Sequence, residues 1–304
     1  MKRAVQMVSV VFAAIFSLVY IIISFIKQRF MFFPVRISYT APMYLPPEFS
    51  YTRVKCLGDD ELAVFYRREP DMSLPFVLFC HGTMCVQEFD VALMTDTLPH
   101  CNLIAYDYRG YGRSDGLPSE YACTLDLLYL IAWIKHTFPT IDIRHDLILW
   151  GRSIGTNVVL QFVGNLARQD IVPNRIFLYT PFTRLSDVLG NLNFPAPFLA
   201  YLVGNMDVVQ SLKTYCAHDM SRRVLIMGSQ HDTVTPWACC EELARAVPLD
   251  QVTLRKFIGL HSGQFMQWNI FNEFVAATTR ERIDQDVTEA DIYKCIAQMF
   301  AEEK

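Results

Sequence analysis

Short, nearly continuous apolar runs recur between residues 76 and 257 and alternate with stretches of helical character. The runs lie at residues 76–80, 102–106, 147–150, 175–179, 224–227 and 252–257. Such runs are typical of strands that are buried on both faces. Strands separated by helices pair in parallel through right-handed crossovers. The pattern therefore predicts an α/β fold with a mostly parallel sheet.

The N-terminal segment has a different pattern. Residues 4–26 contain 19 apolar residues and no charge, and basic residues flank both ends. As a helix, this segment would be about 34 Å long, enough to cross a hydrocarbon core of about 30 Å. The alternative is a cleaved signal peptide, whose apolar region is only about 7 to 15 residues long and precedes a small-residue cleavage site. We expect residues 1–27 to form a single transmembrane anchor and the protein to reside in a membrane.

The sequence gives little indication of which side of the membrane the domain faces. Two basic residues precede the apolar segment, and Lys27, Arg29 and Arg36 follow it. Because these numbers are similar, the positive-inside rule predicts no orientation. The chain has no Asn-x-Ser/Thr glycosylation site, which weakly disfavours a lumenal domain. We therefore assign the domain to neither side of the membrane.

Three further segments complete the predicted organisation. Residues 28–50 are rich in proline and aromatic residues and read as a link lying on the main domain, which spans residues 51–304. Residues 183–222 contain an apolar stretch without strand alternation, from Phe194 to Met206. This segment predicts a small cap over the carboxyl edge of the sheet, where α/β proteins bind ligands. Thr288 and Asp291 form a capping-box pattern that opens a last amphipathic helix, which we expect to dock onto the domain.

Charge and cysteine usage exclude several functions. Beyond residue 36, 22 basic residues face 31 acidic ones, which argues against a nucleic-acid partner. The nine cysteines are scattered, apart from Cys239 and Cys240, and no C-x-x-C motif occurs. Neither a disulfide framework nor a metal site is therefore expected. We interpret the vicinal pair as buried small hydrophobic residues in a helix, with lipidation or redox sensing as the alternative.

The sharpest motif is Gly151-Arg152-Ser153-Ile154-Gly155, which directly follows an apolar run and precedes a helical one. A G-x-S-x-G sequence at a turn from strand to helix presents its serine as a nucleophile, and the small neighbours let the turn close. The amides at the start of the next helix then point at the reacting carbonyl. The alternative is a turn whose serine only caps the helix.

A serine nucleophile needs a base and an orienting acid, which in this arrangement follow it in the order acid, then histidine. Asp232 and His261 each lie in a loop after a predicted strand. His261 would accept the serine proton and Asp232 would orient its imidazole. His231 is a rival base, but adjacent residues on a loop seldom point at each other. Other candidates for the acid are Asp207 and Asp219.

An oxyanion hole requires two backbone N–H groups aimed at the developing alkoxide. One should come from Ile154, the residue after the nucleophile, and the other from the loop that follows the run at residues 76–80. We assign the second donor to Thr83, with Met84 as the alternative. His81 lies at the strand end and is expected to make a structural hydrogen bond to the loop.

These motifs, together with Leu78-Phe79-Cys80-His81-Gly82, Tyr106-Asp107-Tyr108-Arg109-Gly110-Tyr111-Gly112-Arg113-Ser114 and Asp232-x-Val-x-Pro236, resemble the alpha/beta-hydrolase superfamily over about residues 28–275. The nearest resemblance is to a membrane-anchored, bud-emergence-type branch that includes palmitoyl-protein thioesterases and lysophospholipid lipases. The resemblance implies an eight-stranded, mostly parallel sheet and a triad of Ser153, Asp232 and His261. Two departures concern Thr83-Met84, where the branch usually has Asn-Ala, and Met227-Gly228, where it often has His-Gly.

Arg109 and Arg113 flank the glycines of the second motif. They could bind an acidic head group, but we favour a structural role in which ion pairs to acids such as Asp107 or Asp115 fix the turn.

Together, these features predict a serine hydrolase that cleaves carboxylic esters or thioesters through an acyl-enzyme, without a metal or organic cofactor. The expected substrates are lipids or acylated proteins at a membrane. Two alternatives remain: a catalytically silent scaffold that serves as a membrane-attached binding module, or a peptidase or C–C hydrolase that uses the same triad.

Overall fold

The computed structural model describes residues 14–15, 17–19, 31–38, 40–69, 74–94, 101–191, 207–257 and 260–261. Eight strands form one sheet in the order β1-β2-β4-β3-β5-β6-β7-β8. β2 pairs antiparallel with both β1 and β4, and all other neighbours are parallel. The predicted fold class, a mostly parallel eight-stranded α/β sheet, is confirmed. The strands are β1 (Ser50–Lys55), β2 (Glu61–Arg67), β3 (Phe76–Cys80), β4 (Asn102–Tyr106), β5 (Leu147–Arg152), β6 (Arg175–Tyr179), β7 (Arg223–Ser229) and β8 (Val252–Phe257).

Helices connect the parallel strands and cover the sheet. Within the described ranges they are α1 (Gln87–Met94), α2 (Glu120–Thr137), α3 (Ile143–Asp146), α4 (Ile154–Asn165), α5 (Leu185–Asn191), α6 (Val209–His218) and α7 (Trp237–Arg245). A single 3-10 turn, Leu57–Asp59, joins β1 to β2. Gly58 has φ 75° in this turn, a conformation that glycine adopts without steric cost.

The core consists of two apolar layers, one on each face of the sheet. Successive residues of a strand point to opposite faces, so Leu78 packs in one layer and Phe79 in the other. The first layer also contains apolar residues of α2, α4, α6 and α7, and the second contains Val91 and Met94 of α1. This double coverage explains why the parallel strands read as continuous apolar runs.

Strands β1 and β2 were not among the predicted runs. β1 is largely half-buried or exposed, and only Val54 in it is buried. Because this edge strand lacks a continuous apolar stretch, its sequence resembles the preceding link rather than a core strand.

Several predicted segments lie partly or wholly outside the described residues. The proposed anchor at 1–27 is described at only five positions, and residues 192–206 of the predicted cap and the last helix lie outside. Among the residues that are described, no helix is both long and apolar enough to cross a bilayer.

Candidate active site

Ser153 lies at the sharp turn between β5 and α4. Its backbone adopts φ 52° and ψ −119°, a sparsely populated conformation for a residue with a side chain. The backbone N–H of Ser153 donates to the carbonyl of Tyr179 on β6 at 3.0 Å, and the Thr156 hydroxyl donates to the Ser153 carbonyl at 2.6 Å. Hydrogen bonds therefore fix the turn at both the backbone N–H and the carbonyl of Ser153.

The glycines of the motif are required by close packing. A Cβ atom on Gly155 would lie 2.0 Å from the carbonyl oxygen of Cys80, at the end of the neighbouring strand β3. A Cβ atom on Gly151 would lie 2.6 Å from the carbonyl oxygen of Gly155. Only hydrogen atoms fit at these two positions, so helix α4 can begin directly against the sheet.

The structure brings Ser153, His261 and Asp232 together. The Ser153 hydroxyl lies 3.0 Å from Nε2 of His261, and Nδ1 of His261 lies 2.9 Å from Oδ2 of Asp232. Asp232 follows β7 and His261 follows β8, so the ends of neighbouring parallel strands place the acid and the histidine side by side. With Asp232 ionised, Nδ1 donates to the carboxylate, and Nε2 is left to accept the serine proton.

Asp232 is held as a carboxylate by its own loop. Its side chain is 1% exposed, and burial acts to raise its pKa. The hydrogen bond and charge of His261 and the hydrogen bonds from Thr235 outweigh burial, so the pKa lies below its usual range. The backbone N–H groups of Val234 and Thr235 both donate to Oδ1 at 2.8 Å, and the Thr235 hydroxyl donates to Oδ2 at 2.7 Å.

The rival candidates for base and acid lie elsewhere. His231 is exposed to solvent. Asp207 pairs with Arg184 at 3.1 Å, and Asp219 pairs with Arg144 at 2.7 Å. None of the three is hydrogen-bonded to Ser153 among the described contacts.

A cavity of about 300 Å³ opens at Ser153. Of the described residues that line it, three are polar: Thr83, Ser153 and Thr235. The other eight are apolar and come from the residues before β1, from α4, from the segment around α5 and from the Asp232 loop; they are Met31, Phe33, Ile154, Phe182, Leu185, Val188, Leu189 and Val234. Apolar pockets with a few convergent polar groups are typical ligand sites.

Both residues predicted to form the oxyanion hole border this cavity. Ile154 is the first residue of α4, where the backbone N–H has no carbonyl one turn earlier to bond. The loop that carries Thr83 passes close to Ser153, since a Cβ atom on Gly82 would lie 3.6 Å from Cβ of Ser153. Met84, the alternative donor, has φ 59° and is largely exposed.

His81 is fully buried and uses both ring nitrogens for the backbone. Nδ1 donates to the Gly82 carbonyl at 2.7 Å, and Nε2 accepts from the Tyr108 N–H at 3.2 Å. Burial lowers the pKa of His81 to about 3, so the ring is neutral. These contacts agree with the predicted structural role.

Asp107 fixes the position of the same loop. Its Oδ1 accepts from the Gln87 N–H at 2.8 Å and its Oδ2 from the Arg113 N–H at 3.3 Å. Gln87 begins α1, four residues after Thr83. The Tyr108 hydroxyl also donates to the His81 carbonyl at 3.0 Å. The turn after β4 therefore clamps the loop that lines the site.

Arg109 and Arg113 are buried and paired, as a structural role requires, but with other acids than we expected. Arg109 contacts Asp126 on α2 at 2.7 Å and Asp60 at 2.8 Å. Arg113 pairs with Glu88 on α1 at 2.7 Å. Asp107 is occupied by backbone N–H groups, and Asp115 pairs with Arg53 at 2.6 Å.

The cysteine pair is buried, as predicted. Cys239 and Cys240 lie in α7 with 3% and 2% exposure, and burial raises the pKa of both thiols. In the part of the chain that the structure describes, no group of three His, Cys, Asp or Glu side chains is arranged to hold a metal ion.

Sequence reasoning missed three residues of the site. Thr235 stands within Asp232-x-Val-x-Pro236, but nothing in the motif indicated that its hydroxyl bonds the acid. Met31 and Phe33 belong to the segment interpreted as a link, and they line the same cavity as Ser153 although more than 100 positions separate them from it in the sequence. Neither apolar periodicity nor motif spacing indicates that residues so far apart in the sequence line one cavity.

The sheet is mostly parallel, and the serine lies at a strand-to-helix turn, hydrogen-bonded to a histidine that in turn bonds an aspartate, both from later loops. This is the arrangement of alpha/beta hydrolases. The model of the alpha/beta hydrolase family matches residues 77–267, and the chain belongs to this family.

Curated relatives include the lysophosphatidylserine lipase ABHD12 of Danio rerio, 28% identical over 220 residues that cover 68% of this chain and 55% of that protein. The human protein ABHD12B is 24% identical over 226 residues, 66% of this chain and 60% of that protein. The chain thus spans between half and two thirds of the length of these relatives.

Solved structures share the fold. An alpha-beta hydrolase of Vibrio vulnificus has a TM-score of 0.62 at 18% identity, covering 77% of this chain and 82% of that one. The Pyrococcus furiosus esterase Pf2001 has a TM-score of 0.60 at 16% identity, covering 81% and 96%.

Proposed function

We propose that this protein is a serine hydrolase that cleaves carboxylic ester or thioester bonds through an acyl-enzyme on Ser153. The observation that carries the proposal is the continuous hydrogen-bonded path from Ser153 through His261 to Asp232, at 3.0 and 2.9 Å. The path begins on a strained turn that faces an apolar cavity. The membership in a family of hydrolases supports it further.

In the first half-reaction, Ser153 Oγ attacks the substrate carbonyl carbon while Nε2 of His261 takes the hydroxyl proton. Asp232 stabilises the resulting imidazolium. The alkoxide of the tetrahedral intermediate would accept from the backbone N–H groups of Ile154 and Thr83, and such donors typically contribute about 2.7–4 kcal/mol each to the transition state. The intermediate collapses, the alcohol or thiol leaves with the proton from His261, and the acyl group stays on Ser153.

In the second half-reaction, a water molecule loses a proton to Nε2 of His261 and attacks the acyl carbon. Collapse of this intermediate returns the proton to Ser153 Oγ and releases the carboxylic acid. The side chains of His261 and Asp232 therefore serve both steps in the positions that the structure gives them.

Labelling with a fluorophosphonate, which reacts with an activated serine, tests this chemistry. Wild type should label, Ser153→Ala should not, and His261→Gln should label at least 10³-fold more slowly, roughly as for loss of a triad base. His231→Gln is the matched control and should label like wild type. A folded wild type that stays unlabelled would contradict the proposal and favour the scaffold alternative.

We further propose that the substrate is a lipid or an acylated protein at a membrane, in line with the membrane-anchored, bud-emergence-type branch of the family. Two observations support this: the apolar lining of the cavity and the 19 apolar residues in segment 4–26. The similarity to lysophosphatidylserine lipases points to lysophospholipids as one class to test.

Turnover of a short soluble ester, a long-chain acyl thioester and a lysophospholipid should be compared on full-length protein in liposomes. A preference for the long-chain substrates supports the membrane assignment. A preference for short or charged esters would count against it, as would failure of the protein to float with the liposomes.

A further inference from the structure

Residues 31–38, which we call the N-terminal strap, form part of the cavity at Ser153. Phe32 is fully buried in the core and packs edge-on against Tyr108, with ring centroids 6.3 Å apart. Its two neighbours, Met31 and Phe33, line the cavity. The strap therefore inserts one aromatic side chain into the core and presents the flanking pair to the site.

The strap is fixed to the turn after β4 by several independent contacts. The Gly112 N–H donates to the Val35 carbonyl at 2.7 Å, and the Ile37 N–H donates to the Gly112 carbonyl at 2.9 Å. The Arg36 side chain donates to the Gly110 carbonyl at 3.1 Å. Since this turn also clamps the loop that carries Thr83, the strap and that loop share one support.

Of the two strap residues that line the cavity, Met31 and Phe33, Phe33 is the exposed one. It has φ 43° and precedes Pro34, whose ring favours an extended conformation at the residue before it. A left-handed conformation is costly for an aromatic residue and persists only where the surrounding contacts enforce it. Phe33 is 46% exposed although it is apolar, so it can cover apolar surface of a bound molecule.

The polarity of the residues that line the cavity indicates what kind of molecule binds there. Among the described residues that line the cavity, three are polar, Ser153 being one of them, and the other eight are apolar. A substrate whose carbonyl carbon reaches Ser153 Oγ therefore places its adjoining chain against apolar side chains. An unbranched acyl chain satisfies this surface, whereas a charged or hydroxylated acyl group would lose hydration without a partner.

We propose that Met31 and Phe33 form the wall of an acyl-chain subsite and that Phe33 determines the preference for long over short acyl groups. This rests on the proposed ester or thioester hydrolysis. Phe33→Ala removes apolar contact from a long chain but not from an acetyl group. The loss is in binding, so it raises KM for the long substrate and leaves kcat nearly unchanged.

The test uses p-nitrophenyl acetate and p-nitrophenyl decanoate with wild type, Phe33→Ala and the matched control Tyr44→Ala. Tyr44 is an exposed aromatic residue of the same N-terminal region that does not line the cavity. We expect Phe33→Ala to lower the ratio of kcat/KM for the decanoate to kcat/KM for the acetate by about tenfold, whereas Tyr44→Ala should keep this ratio within about twofold of wild type. Equal changes for both esters, or decanoate kinetics like those of Tyr44→Ala, would overturn the proposal.

A binding measurement separates failure of the subsite from failure of the proposed chemistry. Decanoic acid is titrated into Ser153→Ala and into Ser153→Ala/Phe33→Ala by calorimetry, without any turnover. Binding that is about tenfold weaker in the double variant supports the subsite even if no ester is hydrolysed. Equal affinity, or no binding by either protein, would overturn it.

Discussion

The Thr235 hydroxyl donates a 2.7 Å hydrogen bond to Asp232 Oδ2, the same oxygen that accepts from Nδ1 of His261 at 2.9 Å. Thr235 is 3% exposed, so no water can easily replace this donor. The hydroxyl fixes the direction in which the carboxylate faces the imidazole. We therefore expect Thr235 to act as a positioning residue, through Asp232, in the proposed reaction.

Thr235→Val keeps the shape of the side chain and removes the donor. We expect kcat for an acetyl ester to fall about tenfold, corresponding to one hydrogen bond to a charged group, with KM nearly unchanged because the cavity keeps its volume. Steady-state kinetics test this, and Thr235→Ser, which retains the hydroxyl, should restore most of kcat. If Thr235→Ser is as slow as Thr235→Val, the hydroxyl is not the cause.

Gly155→Ala should strongly destabilise the fold. The added methyl group would lie 2.0 Å from the Cys80 carbonyl oxygen, and neither β3 nor α4 can move without disturbing the other. Overpacking typically costs about 1–3 kcal/mol, and contact with backbone places this variant at or above the upper end. The control is Gly58→Ala, whose methyl group meets nothing within 4 Å and which should cost about 1 kcal/mol for its left-handed φ. Urea denaturation measures the free energy of unfolding of both variants. Equal losses of this free energy would refute the argument.

Arg109→Met should be strongly destabilising because it leaves Asp126 without its partner. The Asp126 side chain is 0% exposed. Burial raises its pKa to about 6, although the hydrogen bonds and charge of Arg109 act in the opposite direction. Breaking one side of a buried pair costs about 3–5 kcal/mol, whereas Arg109→Met/Asp126→Leu should regain most of the loss.

The matched control for Arg109 is Arg245→Met. Arg245 is 72% exposed and pairs with Glu241 one helical turn away, so its loss should cost under about 1 kcal/mol. Chemical denaturation of all three variants measures the difference. A cost for Arg109→Met similar to that for Arg245→Met would show that the buried pair contributes little.

Asp107→Asn should destabilise the protein in a pH-dependent manner. An amide nitrogen in place of one carboxylate oxygen faces a backbone N–H of Gln87 or Arg113 and leaves it unsatisfied, at a cost of about 2 kcal/mol. Burial raises the pKa of Asp107 to about 7, with the two N–H donors opposing it. The folded protein therefore binds more protons than the unfolded chain between about pH 4 and pH 7, and the contribution of the protonated carboxyl is lost as the pH rises through 7.

The penalty of Asp107→Asn should accordingly be larger at pH 5 than at pH 8. Free energies of unfolding of wild type and variant at the two pH values measure this directly. A penalty that grows with pH would mean that the folded protein prefers the ionised carboxylate.

The parallel strands and the serine turn are predictable from sequence because each is encoded locally. A strand covered on both faces must be apolar throughout, and a serine turn against a neighbouring strand must have glycine at residues 151 and 155. The partners of Arg109 are not encoded locally. Asp107 is nearer in sequence, but the backbone N–H groups of Gln87 and Arg113 occupy it, so Arg109 pairs with Asp126 on α2.

The same reasoning explains the missed elements. β1 has one buried residue, Val54, and carries no apolar run. The strap reads as a linker because its ordering comes from hydrogen bonds to the turn at Gly110 and Gly112, which only the folded chain brings within reach. Thr235 was overlooked since a threonine in a loop has many possible roles until the position of Asp232 is known.

The position of β8 has a consequence for how activity is lost on heating. β8 lies at one edge of the described sheet, its side chains are mostly half-buried or exposed, and His261 follows it by four residues. Edge elements with little apolar burial open at lower free energy than the centre of a domain. Fraying of this one strand would carry the imidazole away from the serine while the inner strands remain paired. Inactivation of the proposed hydrolase on heating would then precede the loss of circular dichroism, and the protein would regain activity on cooling without having to refold.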